Sequence, residues 1–425
     1  VEKNLQMEKL HIKGGNKLYG TVKIGCAKNA YLPILAGAIL CSGKVKLNNY
    51  PSYKDIINMT YILENLGAKK KLIDDCIELD MSDLKNYEIP SNLAMLTRSS
   101  IFSLGAILGR FKKARVAYPG GCDIGTRPID LHLKGLRALN VKVSDKRGYI
   151  NCDGSNMKGG TIHLDFPSVG ATENIMMAGV LTKGVTKIIN GAKEPEVVDL
   201  QNFLNKAGAK IKGAGTNVIT IHGVDALKSV EYTPISDRII TGTYILACMI
   251  CGGEIILENA NLSHLEALTS KLHDNTCKIW QKNDKVIVSS SENVHKAITK
   301  IETMPYPGFP TDLQPQTVAM LSICKGTSVV IENLFETRFK YTNELIKMGA
   351  DIIIKDRSAI IKGVEKLYGA DVYATDLRGG AGLILAALRA DGDTTIGNIY
   401  QIERGYENLE QNLANLGVDI KRISV

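Results

Sequence analysis

Between Pro119 and His132 the chain reads PGGCDIGTRPIDLH. Gly120 and Gly121 reach backbone angles closed to other residues, so they make a bendable lead into Cys122, Asp123, Gly125 and the Arg127-Pro128 pair. A guanidinium five residues after a thiol favours the thiolate and could hold an anion beside the sulfur. The residue types alone favour a plainer reading, a tight turn with an inert cysteine. Other candidates stand where helices should begin: Lys28 and Asn29 in GCAKNA, Arg98 in LTRSS, Ser168, Val169 and Gly170 in DFPSVGATEN, Asp312 in FPTDLQPQ, and Arg378 in LRGGAG. Helix starts carry unpaired N–H groups and partial positive charge, so they attract anions. Plain readings stay open here as well: a solvated cap at Lys28, a structural ion pair at Arg98, helix capping at Ser168 and Asp312.

The elements that must position these residues recur. A helix-to-strand ending appears as LENLGAKKKL around Gly67, LRALNVKV around Asn140, LNKAGAKI around Gly208, LHDNTCKI around Thr276, IKMGADII around Gly349 and LANLGVDI around Gly417. The spacings are 73, 68, 68, 73 and 68 residues, a duplication laid over a triplication. Gly or Asn just past a helix takes the left-handed conformation that caps it, and Thr276 is the poorest match. An Ala- and Gly-rich helix also recurs, from Lys28, Arg98, Thr172, Arg238, Asp312 and Asp376. Helices apolar all round are buried, and their small residues allow close packing. Ile12–Gly20 (IKGGNKLYG) echoes Ile361–Gly369 (IKGVEKLYG), so the second domain should take strands from both ends of the chain.

A chain of 425 residues with 44% apolar residues implies a globular protein of two or three domains. Its net charge of +8 comes without a polybasic block, which argues against nucleic acid and suits small acidic substrates. Nine scattered cysteines point to a reducing compartment. Cys248 and Cys251 form a CxxC inside the apolar run ILACMICGG and read as helix core. The seven histidines form no HxH or HxxxH pair, and no metal site is expected. No apolar run reaches the ~18 residues of a membrane span and no signal pattern opens the chain, so a cytoplasmic protein is expected. Met7 could be the native start, with Val1 to Gln6 an extension.

The order Pro-Gly-Gly-Cys, Ile-Gly, Arg-Pro-Ile-Asp resembles the catalytic loop of the enolpyruvyl transferases that act on UDP-N-acetylglucosamine, and the sixfold pattern is similar to that superfamily over nearly the whole chain. The resemblance implies an α/β fold of two similar inside-out α/β barrel domains, each of three repeated strand-helix units with buried helices: residues 28–235 with the Cys loop, and residues 1–27 plus 236–425. It implies addition-elimination that moves the enolpyruvyl group of phosphoenolpyruvate to the 3′-hydroxyl of UDP-N-acetylglucosamine and releases phosphate, the first committed step of peptidoglycan biosynthesis. Catalytic residues would be Cys122 as general acid, Asp312 as general base, Lys28 and Arg404. Phosphoenolpyruvate would meet Lys28, Asn29, Cys122, Arg127, Arg338, Arg378 and Arg404. The nucleotide sugar would meet Arg98, Arg127, Pro128, Ile129, Asp130, Leu131, Phe166, Ser168, Val169, Gly170, Asp312 and Leu334. Asp376 would orient its neighbours, and His132 would be a positional helper at most.

The resemblance implies no cofactor, a monomer or weak oligomer, and no membrane or nucleic-acid partner. Lys193 stands where Arg is common before Glu-Pro-Glu, and Ile240 where an acid is usual. Two rivals remain: the shikimate-pathway enolpyruvyl transferase, which lacks the Cys loop, and a non-catalytic sensor of the nucleotide sugar.

Overall fold

A computed structural model of the chain describes residues 8–424 except 121–123, 126, 274, 276 and 292–294. The described residues fall into two compact units. The middle unit holds 26–120 and 127–235; the terminal unit holds 8–25, 236–424 and the loop residues Ile124 and Gly125. Chain position assigns that loop to the 28–235 domain. Ile124 instead packs with the terminal unit, where its carbonyl accepts from Thr337 N at 3.2 Å and its side chain is buried.

Among the described residues each unit contains three four-stranded sheets, all of one pattern. In the middle unit, Thr161–His163 runs parallel to Val185–Ile189, which pairs antiparallel with Val218–His222, which pairs antiparallel with Lys210–Lys212. In the terminal unit, Lys300–Glu302, Thr327–Ile331, Ser358–Lys362 and Asp351–Lys355 follow the same sequence of pairings. Burial alternates along the strands, as in Thr327–Ile331, where Ser328 and Val330 face inward. That alternation makes each sheet a one-sided cover over the helices.

One sheet explains the echo between the chain ends. Glu8–Lys13 takes the third position beside Asp393–Gly397 and Asp419–Ser424, the place Ser358–Lys362 takes in its own sheet. Leu18–Lys23 then runs parallel to Gly253–Glu258, as Asp371–Tyr373 runs parallel to Asp393–Gly397. IKGGNKLYG and IKGVEKLYG are therefore the same strand-loop-strand step, and the terminal unit is built from both ends of the chain.

The buried helices are α1 (Lys28–Ala38), α2 (Ser103–Phe111), α3 (Val169–Val180), α4 (Arg238–Cys251), α5 (Gln314–Leu321) and α6 (Leu377–Arg389). Every residue of α4 and α5 is buried, so neither has a solvent face. Small residues set the spacing. A Cβ on Gly105 would fall 2.0 Å from Asn174 O, and one on Gly382 2.8 Å from Pro315 O. The endings behave as the pattern requires: φ is 111° at Gly67, 63° at Asn140, 114° at Gly208, 91° at Gly349 and 97° at Gly417. Thr276 lies outside the described residues. Cys248 and Cys251 lie on α4, where burial raises both thiols, Cys251 to about 12. Among the described residues no helix is long and apolar enough to cross a membrane.

Candidate active site

In the terminal unit the chain turns into α5 through a 3-10 turn, Thr311–Leu313, that carries Asp312. Its carboxylate is held from two sides: Arg378 Nη2 donates to Oδ2 at 3.1 Å and Arg338 Nη2 to Oδ1 at 3.4 Å. Arg338 Nη2 also donates to Thr311 O at 3.2 Å, and Arg338 Nη1 lies 3.9 Å from Asp376 Oδ1. Asp376 is the cap of α6 and accepts from Arg378 N at 3.0 Å and Gly379 N at 3.1 Å. One carboxylate thus fixes the start of the helix that delivers Arg378. The Asp312 side chain stays 26% exposed while those of Arg338 and Arg378 are 2% and 3% exposed. Burial alone would lower the Arg378 pKa, but Asp312, Tyr406 and Asp237 reverse that and leave it raised. Arg338 Nε and Arg378 Nη1 have no hydrogen-bond partner among the described residues. Buried donors of this kind favour an arriving anion.

Around this clamp Glu332, fully buried, accepts from Thr303 Oγ1 at 2.8 Å, Thr311 Oγ1 at 2.9 Å, Leu334 N at 2.9 Å and Phe335 N at 3.2 Å. It ties the loop of Leu334 to the turn of Asp312. Arg404 is half-buried, with Nη1 donating to Gln401 Oε1 at 3.3 Å, and Tyr406 OH shares hydrogen bonds with Thr243 Oγ1 (2.9 Å) and Gln316 Nε2 (3.1 Å). Gly125, with φ 147°, passes so close to Glu336 that a Cβ would sit 2.4 Å from its Oε2. Only glycine fits there. Cys122 lies outside the described residues.

In the middle unit Lys28, the first residue of α1, donates from Nζ to Asp55 Oδ2 at 3.1 Å, and the two side chains are 10% and 5% exposed. Asp55 lies in the first turn of Lys54–Leu66, where the helix field favours a carboxylate. Asn29 follows on the same turn and is half-buried. Arg98 Nη2 donates to the carbonyl of Arg127, and burial together with the Arg127 charge lowers the Arg98 pKa to about 10. Two neighbouring guanidinium groups make this corner receptive to an anion. Arg127 has φ 45°, Pro128 is exposed, Ile129 is buried, and Asp130 and Leu131 open the helix Asp130–Ala138. Phe166 is 45% exposed on the turn before α3, and Ser168 caps α3 by accepting from Ala171 N at 3.3 Å. Val169 and Gly170 form the first turn of α3.

The structure therefore brings Asp312, Arg338, Arg378 and Asp376 together in one unit, and Arg98 with Arg127 in the other. Leu334 and Arg404 belong to the unit of Asp312; Lys28, Asn29, Phe166, Ser168, Val169 and Gly170 belong to the unit of Arg98. Sequence reasoning missed Asp55, Glu332 and Asn174. Asp55 looks like any first-turn acid, and Glu332 follows the strand Thr327–Ile331 with nothing to mark its four donors. Asn174, whose Nδ2 lies 2.9 Å from His132 Nδ1, carried a usable signal, as one of three consecutive polar residues, Thr172 to Asn174, on a helix otherwise apolar.

The family model for EPSP synthase (3-phosphoshikimate 1-carboxyvinyltransferase) matches residues 12–413. The chain belongs to that family. Relatives of this EPSP synthase family member include UDP-N-acetylglucosamine 1-carboxyvinyltransferase 2 of Caldanaerobacter subterraneus subsp. tengcongensis, 52% identical over 98% of this chain and 100% of the relative. A protein of the same name from Carboxydothermus hydrogenoformans is 49% identical over 98% of this chain and 100% of its own length. Among solved structures, the enolpyruvyl transferase NikO from Streptomyces tendae shares the fold with a TM-score of 0.89 at 24% identity, covering 98% of this chain and 99% of NikO. EPSP synthase from Acinetobacter baumannii follows at 0.73 and 17%, covering 98% of this chain and all of that one. The two-domain inside-out α/β barrel that the resemblance implied is the fold of this family.

Proposed function

We propose that this chain transfers the enolpyruvyl group of phosphoenolpyruvate to the 3′-hydroxyl of UDP-N-acetylglucosamine, releasing phosphate and opening peptidoglycan synthesis. The observation that carries the reading is the Asp312 carboxylate, gripped by two guanidinium groups yet 26% exposed, in a chain 52% identical to a transferase named for that sugar nucleotide. A carboxylate fixed in this way is oriented toward one hydroxyl, and orientation is the first requirement of a general base. Asp312 takes the proton of the acceptor hydroxyl as its oxygen attacks C2 of phosphoenolpyruvate. Cys122 gives a proton to C3, so that a tetrahedral adduct forms. Loss of phosphate from C2 and of a proton from C3 then restores the double bond.

Lys28, held by Asp55, and Arg127 and Arg404 are assigned to the phosphate, with Asn29 beside Lys28. The unmatched N–H groups of Arg338 and Arg378 are assigned to the carboxylate. Arg98, Arg127 to Leu131, Phe166, Ser168 to Gly170, Asp312 and Leu334 are assigned to the nucleotide sugar. The scattered cysteines suit a cytoplasmic enzyme.

Phosphate release tests the reading, measured with UDP-N-acetylglucosamine and, separately, with shikimate 3-phosphate as acceptor. Release is expected with the first and not the second; the reverse overturns the proposal. For the thiol, Cys122→Ala should fold, lose turnover and resist alkylation by an epoxide phosphonate of the fosfomycin type. Labelling of that variant at the wild-type rate would remove Cys122 from the mechanism.

A further inference from the structure

Arg422 lies on the strand Asp419–Ser424 of the terminal unit, and its guanidinium joins three acids. Nη1 donates to Glu8 Oε2 and to Glu403 Oε1, each at 2.8 Å, while Nε and Nη2 donate to Glu410 Oε1 at 3.0 and 2.6 Å. The acids come from three elements: the strand Glu8–Lys13, the short helix Tyr400–Glu403 and the helix Leu409–Asn415. Burial alone would lower the Arg422 pKa, but the bonds to Glu403, Glu8 and Glu410 reverse that and leave it raised. Sheet pairing accounts for Glu8, since Leu10 stands opposite Arg422 and Glu8 is its diagonal neighbour. It does not account for Glu403, which belongs to no strand.

The residue after Glu403 is Arg404, and both stand on a tightly folded segment. Glu403 N bonds to Ile399 O at 3.1 Å, and Gly405 N and Tyr406 N bond to Ile402 O at 3.1 and 3.0 Å. On the core side Ile402 and Tyr406 are buried, and Tyr406 OH is held by Thr243 and Gln316. On the solvent side Arg422 holds Glu403. Successive residues on a helical turn point about 100° apart, so fixing Glu403 and Tyr406 fixes the direction in which Arg404 leaves the backbone between them. A four-residue helix has little stability of its own. The Arg422 and Glu403 side chains are 33% and 22% exposed, and pairs so exposed add little to global stability. The effect of the network therefore falls on the order of this segment.

We propose that Arg422 is a positioning residue for phosphoenolpyruvate: by holding Glu403 it fixes the turn that aims the neighbouring Arg404 at the phosphate. The proposal rests on the function stated above, which assigns Arg404 to that phosphate. Glu8 and Glu410 anchor the guanidinium, and Glu403 is the arm through which it acts.

Steady-state kinetics on the full-length protein, with thermal midpoints measured for every variant, supply the test. Arg422→Gln should lower kcat/KM for phosphoenolpyruvate by roughly 10- to 100-fold and change KM for UDP-N-acetylglucosamine by less than about twofold. Glu403→Gln should reproduce that loss, and it carries the comparison alone should Arg422→Gln lower the midpoint. Glu8→Gln, which removes an acid from the same guanidinium without touching the turn, should not reproduce it, and Arg422→Lys should recover only part. In an Arg404→Gln background the Arg422→Gln loss should shrink to within about twofold, because a residue that acts through Arg404 has nothing left to act on. Equal losses in both backgrounds overturn the proposal, and so do equal rises in the two KM values. Hydrogen exchange gives a readout independent of turnover: amides 399–406 should exchange faster in Arg422→Gln while the rest of the chain is unchanged, and unchanged exchange in that segment also overturns the proposal. If the wild-type protein transfers no enolpyruvyl group to UDP-N-acetylglucosamine, the functional reading fails, while the exchange measurement still decides whether Arg422 orders the turn of Arg404.

Discussion

The two units share one repeat skeleton and settle particular buried ionisable groups differently. In the terminal unit, carboxylates at helix starts are saturated with donors: Asp376 and Asp237 each cap two N–H groups, and Asp312 faces two guanidinium groups. In the middle unit two deeply buried groups are held uncharged. Burial pushes the Glu173 carboxyl well above the usual range, with Glu196 and Glu194 adding to the shift, and neither of its oxygens has a partner among the described residues. Burial likewise keeps His132 neutral. The Lys28–Asp55 pair in that unit resembles the pairing in the other, and Asp199 there accepts from Tyr232 OH at 2.6 Å and Ile235 N at 3.1 Å. The difference teaches that helix-start geometry alone does not set the charge of a site. A group removed from water either finds a counter-charge or gives up its own.

The sharpest way to break this comparison is to remove the charge that the terminal unit has assembled its donors around. Asp312→Asn should lower kcat by roughly 10²–10⁴, the range for loss of a general base, while KM for phosphoenolpyruvate changes little. A kcat within tenfold of wild type would mean that the clamp is architectural. Next in size, Arg378→Met leaves Asp312 with one guanidinium instead of two. Breaking a buried pair costs about 3–5 kcal/mol, and the lower end is expected because Asp312 is 26% exposed. A denaturation midpoint equal to wild type would show that Arg338 alone suffices.

A pH-dependent effect sharpens the contrast from the other side. Glu173 keeps its proton in the folded chain and loses it in the unfolded chain once pH rises past the ordinary carboxyl range. Stability therefore falls as pH rises, by up to about 1.4 kcal/mol per pH unit, until the raised pKa is reached. Glu173→Gln cannot ionise and escapes that loss. Its thermal midpoint should match wild type more closely at pH 5 than at pH 8, where the variant should be the more stable. A gap that does not change with pH would mean that Glu173 is ionised and paired.

Much of the architecture was legible because it is periodic. Caps at Gly67, Asn140, Gly208, Gly349 and Gly417 recur at fixed spacing, and each has the positive φ that the spacing requires. The apolar helices read correctly as buried, although α3 starts at Val169, three residues before the repeat motif at Thr172, because Ser168 is the residue that caps it. The candidate site was legible only in part. Arg338 and Arg378 read as ligands for a substrate anion, and the structure adds that both are already engaged with Asp312. Asp55 was invisible because its partner lies 27 residues away on another helix.

By itself the sequence determined the sixfold α/β repeat, the origin of one unit from both chain ends, and the inventory of acids, cations and one loop thiol. These follow from local rules: periodicity, capping and composition act over a few residues and leave their mark in order. Only the tertiary structure decided that Asp312 is shared by two guanidinium groups, that Glu332 gathers four donors, and that Arg422 joins Glu8, Glu403 and Glu410. Charge state and hydrogen-bond partners depend on what surrounds a side chain once water is gone, and no spacing along the chain records that.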